Sequence, residues 1–157
     1  MINPKPVFKV LIVCTGNSCR SPLAAALLRR EVEHLPVAVD SAGLVAVNGA
    51  PASALAQQVA LELGVDISNH QAKLLDQEMV KNADLILVME TAQWESIIQL
   101  DPAAAPKIRL LGGYPEREVE IEDPIGKSID FYRQTALLLK AGVIKVGRGI
   151  KAQFSKR

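Results

Sequence analysis

Between Val10 and Pro22 the chain reads Val-Leu-Ile-Val-Cys-Thr-Gly-Asn-Ser-Cys-Arg-Ser-Pro, so five residues separate Cys14 from Arg20 and Ser21 follows directly. Five intervening residues let a backbone curl into a ring whose amides converge on a tetrahedral anion, and an arginine closes the ring with a planar, two-pronged donor. Phosphate or arsenate fits such a cradle; a carbonyl does not need so many donors. Thr15, Gly16, Asn17, Ser18, Cys19 and Arg20 are the candidate anion-holding residues. Cys14 stands at the edge, where a helix N-terminus and a nearby guanidinium favour negative charge on sulfur, and a thiolate can attack phosphorus. A free cysteine at a strand end is commonly an inert core residue. Gly16, Arg20, Ser21 and the preceding strand favour the nucleophile instead.

A second group that could move protons stands far downstream. Asp123-Pro124 lies in a stretch, Tyr114 to Lys127, that carries no pattern of its own, and structureless loops of this length are usually functional. Asp-Pro is also a common turn pair, and Glu120, Glu122 and Asp123 could form a merely solvated acidic run.

These residues need a scaffold that brings strand ends and helix starts together. Val7 to Val13 reads as a buried parallel strand, and Ser21-Pro22 as a helix start with serine as N-cap, the helix running to about His34. The pattern continues with a strand from Val37 to Ser41, a loop from Leu44 to Ala50, a helix from Pro51 to Leu63 stopped by Gly64, and an irregular stretch to Lys73. A short helix from Leu74 to Asn82, a strand from Ala83 to Met89, a helix from Thr91 to Leu100, and a strand from Ile108 to Leu111 follow. A last helix starts near Ser128 and extends through Leu139; the basic, glycine-broken segment 147–157 reads as a disordered tail. Alternating strands and helices predict an α/β fold with a parallel sheet covered on both faces.

One domain spanning residues 1–157 is the expectation from length. A net charge of +1 points to neither nucleic acid nor a membrane surface. The prolines at Pro4 and Pro6 and the lysine at Lys9 do not suit a signal peptide, no apolar run approaches a membrane span, and a cytoplasmic location is expected. No cofactor or metal is called for, and without a long heptad pattern a monomer is the default.

Val13 to Pro22 resembles the signature of the low-molecular-weight protein tyrosine phosphatases. The similarity extends over nearly the whole chain, through Asp40-Ser41-Ala42-Gly43, His70-Gln71-Ala72, Met89-Glu90, Ile108 to Gly112 and Asp123-Pro124. It is strongest to the bacterial branch linked to capsule or exopolysaccharide export. The resemblance implies a flavodoxin-like three-layer sandwich with a four-stranded parallel sheet in the order 2-1-3-4. It implies metal-independent hydrolysis of phosphotyrosine through a phosphocysteine intermediate, with Cys14 as nucleophile, Arg20 on the phosphoryl oxygens and Asp123 as general acid. Ser21 would hydrogen-bond the Cys14 sulfur, and Asn17, Ser41 and His70 would brace the loop; Ser41 and His70 could equally be ordinary loop residues. Cys19 either pairs with Cys14 in a protective disulfide or fills space beneath the loop. The partner implied is a phosphotyrosine protein such as an autophosphorylated bacterial tyrosine kinase.

The chain departs from many relatives at Ile125 and Gly126, where aromatic residues wall the phosphotyrosine ring. Leu44, Val45, Val47 and Ile125 could provide an apolar slot or be ordinary packing, and weak binding of isolated phosphotyrosine is expected. The same loop also resembles arsenate reductases, which relay a disulfide through further cysteines; this chain has none after Cys19. A non-catalytic phosphate-binding or redox-sensing module would need neither nucleophile nor acid.

Overall fold

In the computed structural model, residues 7–156 are described; the opening Met1 to Pro6 segment and Arg157 lie outside them. The elements run β1 (Phe8–Cys14), α1 (Arg20–Glu31), β2 (Val37–Gly43), α2 (Ala54–Glu62), α3 (Gln77–Asn82), β3 (Leu85–Val88), α4 (Thr91–Leu100), a 3-10 turn (Pro102–Lys107), β4 (Ile108–Leu110) and α5 (Ile129–Ser155). The four strands form one parallel sheet in the order β2-β1-β3-β4, the flavodoxin-like order expected.

β1 is apolar at successive positions because both of its faces are buried. Val10, Ile12 and Cys14 face a core shared with Leu23, Leu27, Val59, Leu139 and Val143 of α1, α2 and α5. Leu11 and Val13 face the other core, with Val80, Ile97 and Ala104 from α3, α4 and the 3-10 turn. β1 has β2 on one side and β3 on the other, with Cys14 level with Gly43 and Val13 level with Val88. The connections leaving β1 and β3 therefore diverge at the carboxyl ends of the strands, which opens a crevice there.

Several boundaries differ from the sequence expectation. α1 starts at Arg20 with Cys19 as N-cap, because the Ser21 hydroxyl is engaged by Cys14 and Asn17 instead of capping the helix. The same helix ends at Glu31, short of His34. α3 begins only at Gln77, where the Asp76 side chain accepts from Met79 N–H at 2.8 Å, while Leu74 bridges to Gly43. The 3-10 turn follows from Asp101-Pro102, with Asp101 accepting from Ala103 N–H at 3.2 Å.

The expected disordered tail is instead the end of α5, which continues through Ser155. Val143, Val146 and Ile150 provide a buried stripe, and the glycines permit close approach where breaks were expected. A Cβ at Gly142 would lie 2.5 Å from the Leu111 carbonyl oxygen, and one at Gly147 would lie 3.2 Å from Glu31 Cβ. Among the described residues no helix is long and apolar enough to cross a membrane.

Candidate active site

β1 delivers Cys14 to the carboxyl edge of the sheet, and α1 begins six residues later at Arg20. The intervening loop turns at Asn17, which takes a left-handed φ of 53°, a conformation that asparagine tolerates better than most residues. Asn17 is fully buried and holds the turn with its whole side chain. Its Nδ2 donates to Ser21 Oγ at 2.7 Å and to Ser41 Oγ at 2.9 Å, while its Oδ1 accepts from Lys73 N–H at 3.0 Å.

Four of the loop carbonyls are bound by donors outside the loop. Leu44 N–H binds the Cys14 oxygen at 3.1 Å, Val45 N–H the Thr15 oxygen at 2.9 Å, and Ser53 N–H the Ser18 oxygen at 2.8 Å. His70 Nε2 lies 2.8 Å from the Asn17 oxygen, to which it donates. The amides of Gly16 to Cys19 have no protein acceptor among the described residues, so the loop presents N–H groups to an anion. Gly43 lies directly beneath: a Cβ there would come 2.8 Å from Asn17 N and Thr15 O.

Ser21 Oγ stands 2.9 Å from Cys14 Sγ. Because Asn17 already donates to that oxygen, the serine proton is available to sulfur, and a thiolate accepts such a bond. Burial chiefly, with Cys14 and Asp123 adding to it, pushes the Cys19 thiol up to about 12, so Cys19 stays protonated. Both thiols are free and buried in this structure.

Arg20 is only 2% exposed and is fixed from the far side of the crevice. Its Nη1 donates to Glu90 Oε1, just past β3, and to the Ile121 carbonyl at 2.7 Å. Its Nη2 lies 3.6 Å from Asp123 Oδ2, whose side chain is 38% exposed. Ile125 N–H donates to the other Asp123 oxygen at 3.1 Å, which orients the carboxyl within its turn.

The structure therefore brings Cys14, the 15–19 loop, Arg20, Ser21 and Asp123 into one crevice, with Asn17, Ser41 and His70 bracing the loop from beneath. Burial lowers the His70 pKa from its ordinary value against the raising effect of the Asn17 carbonyl. Of the residues expected to line an apolar slot, Val45, Val47 and Ile125 are exposed, whereas Leu44 packs into the second core. Glu90 was not among the candidate site residues; its place at the carboxyl end of a central strand, where open α/β sheets put ligand residues, is the signal that could have found it.

Residues 9–156 match the family model for low molecular weight phosphotyrosine protein phosphatase. The chain is 40% identical over 134 residues to the probable low molecular weight protein-tyrosine-phosphatase EpsP of Ralstonia nicotianae, covering 85% of this chain and 90% of the relative. Among solved structures it superposes on the YwlE arginine phosphatase from Geobacillus stearothermophilus with a TM-score of 0.89 and 32% identity, covering 96% of this chain and 97% of the other. The tyrosine phosphatase Wzb from Escherichia coli K30, in complex with sulphate, superposes with a TM-score of 0.85 and 30% identity, covering 92% and 99%.

Proposed function

The chain belongs to the low molecular weight protein tyrosine phosphatases, a cysteine-based, metal-independent family, with its likeness running to the exopolysaccharide-associated bacterial branch; from that premise we propose that it hydrolyses phosphotyrosine through a phosphocysteine intermediate. The observation that carries the reading is the meeting of Arg20 and Asp123, 3.6 Å apart, at the loop that follows Cys14. In the first step the Cys14 thiolate attacks phosphorus, the bond from phosphorus to the phenolic oxygen breaks, and Asp123 gives its proton to that oxygen. The loop amides and Arg20 hold the charge spread over the equatorial oxygens. In the second step the Asp123 carboxylate takes a proton from water, the water oxygen attacks phosphorus, and the sulfur leaves as a thiolate that accepts from Ser21 O–H.

The single domain of residues 1–157 carries the activity as a monomer in the cytoplasm, where reducing conditions suit a free Cys14. Its substrate in this reading is a phosphotyrosine protein, such as an autophosphorylated bacterial tyrosine kinase. The test is phosphate release from an aryl phosphate without added metal. Cys14→Ser abolishes it, and Asp123→Ala slows it by roughly 10²- to 10⁴-fold. An inert wild type, or a fully active Cys14→Ser variant, defeats the reading.

A second reading is favoured by one feature of the rim. Ile125 and Gly126 provide no aromatic wall for a phenol ring, and the superposed Geobacillus protein is an arginine phosphatase. The same residues could cleave a phosphorus–nitrogen bond, with Asp123 protonating the departing guanidine nitrogen. Side-by-side turnover of phosphotyrosine and phosphoarginine peptides of one sequence decides between them.

A further inference from the structure

We propose that Gln93 is a positioning residue for the reaction at Cys14, gripping the Thr15 side chain and, through the backbone of Met89 and Glu90, the anchor of Arg20. The proposal rests on the phosphatase reading above and adds to it a residue outside the phosphate loop. Gln93 lies in the first turn of α4 and is only 2% exposed. Its Oε1 accepts from Met89 N–H at 2.8 Å and from Glu90 N–H at 3.1 Å. Its Nε2 donates to Thr15 Oγ1 at 3.2 Å.

The bond from Glu90 N–H is the one a glutamine at this helix position makes when it caps its own N-terminus, and Met89 N–H adds a second donor to the same oxygen. Capping uses the oxygen alone. The nitrogen instead crosses from the β3 side of the crevice to the β1 side and ends on the residue next to the nucleophile. A buried carboxamide is costly unless both ends are paired, so the side chain holds the two sides at a set separation. On one side it meets Thr15, whose carbonyl is already held by Val45 N–H at 2.9 Å, so Thr15 is gripped by its main chain and its side chain at once. On the other side it fixes the backbone of Glu90, whose carboxylate holds Arg20 Nη1.

The effect is on the geometry of the cradle, so it falls on turnover more than on substrate affinity. The experiment compares Gln93→Leu, which keeps the bulk and removes all three bonds, with Thr15→Val, which removes only the cross-link and leaves the helix cap intact. Each lowers kcat for an aryl phosphate by about ten- to a hundredfold, the size expected of a small misplacement of reacting groups, with KM changing less. The double variant is no slower than the slower single, because both remove one link. Orthovanadate binding, measured by calorimetry, weakens in both. A helix cap alone would lower the urea midpoint of Gln93→Leu and leave kcat per folded molecule untouched. That result, or effects that multiply in the double variant, overturns the proposal; should Gln93→Leu fail to fold, a Thr15→Val variant with wild-type kcat does the same. A wild type that binds vanadate but hydrolyses no aryl phosphate defeats the phosphatase reading, and the vanadate affinities of the variants still decide the role of Gln93.

Discussion

Glu90 holds the phosphate-loop arginine from a different strand, and its removal separates two consequences of one ion pair. The Arg20 side chain is 2% exposed and that of Glu90 is 29% exposed. Breaking a wholly buried pair by deleting one partner costs about 3–5 kcal/mol. Here the Ile121 carbonyl still accepts from Nη1 and water reaches the space left by the carboxylate, so Glu90→Ala should lower stability by only about 1–2 kcal/mol. Turnover should suffer more. A guanidinium no longer tied to Glu90 leans toward Asp123, and losing one preorganised donor to the transition state costs about 10²- to 10³-fold. Glu90→Gln, which keeps an acceptor and loses the charge, should lie between wild type and Glu90→Ala in kcat. Steady-state hydrolysis of an aryl phosphate, paired with urea unfolding of the same samples, reads both quantities. A Glu90→Ala variant that unfolds at lower urea yet turns over like wild type would show that Arg20 is oriented by Ile121 and Asp123 alone.

Two further perturbations probe the underside of the loop. Gly43→Val places a Cβ 2.8 Å from the backbone of Asn17 and Thr15; the loop must move, so kcat falls sharply while overpacking costs about 1–3 kcal/mol, and wild-type kinetics in this variant would mean that β2 yields instead. His70 has a folded pKa below its ordinary 6.5 because it is partly buried, so the unfolded chain binds the extra proton first. Its contribution is complete above 6.5, is lost as pH falls toward the folded value, and levels off below it. Urea midpoints of the wild type should therefore drop more steeply below that pH than those of His70→Gln, and parallel curves would contradict the assignment.

What was legible in the sequence is what is short in range. Cys14, Arg20 and Ser21 lie within eight consecutive residues, and their chemistry follows from spacing because one turn of loop and the start of one helix determine where they meet. The strand order was legible only through the family resemblance, since alternation of strands and helices implies a parallel sheet but not which strand lies beside which. Asp123 was likewise legible through the resemblance, which pairs the cysteine loop with a downstream Asp-Pro, here in an otherwise unpatterned stretch.

Glu90, Gln93 and Gly43 escaped for a common physical reason. Each acts through a contact whose partner is distant in the chain, and each has an ordinary local explanation: a helix N-cap, a capping glutamine, a glycine ending a strand. The same ambiguity misplaced the tail. Gly147 and Gly149 look like helix breakers in isolation, yet Gly147 lies where a Cβ would come 3.2 Å from Glu31, and Val146 and Ile150 keep the buried stripe going. Ser21 shows the converse, because a serine before proline has a strong local preference for capping. Its hydroxyl is drawn away by two buried partners, the Cys14 sulfur and the Asn17 amide. Local preference yields in this protein where a buried polar group would otherwise go unpaired, and that condition is met most densely around Cys14.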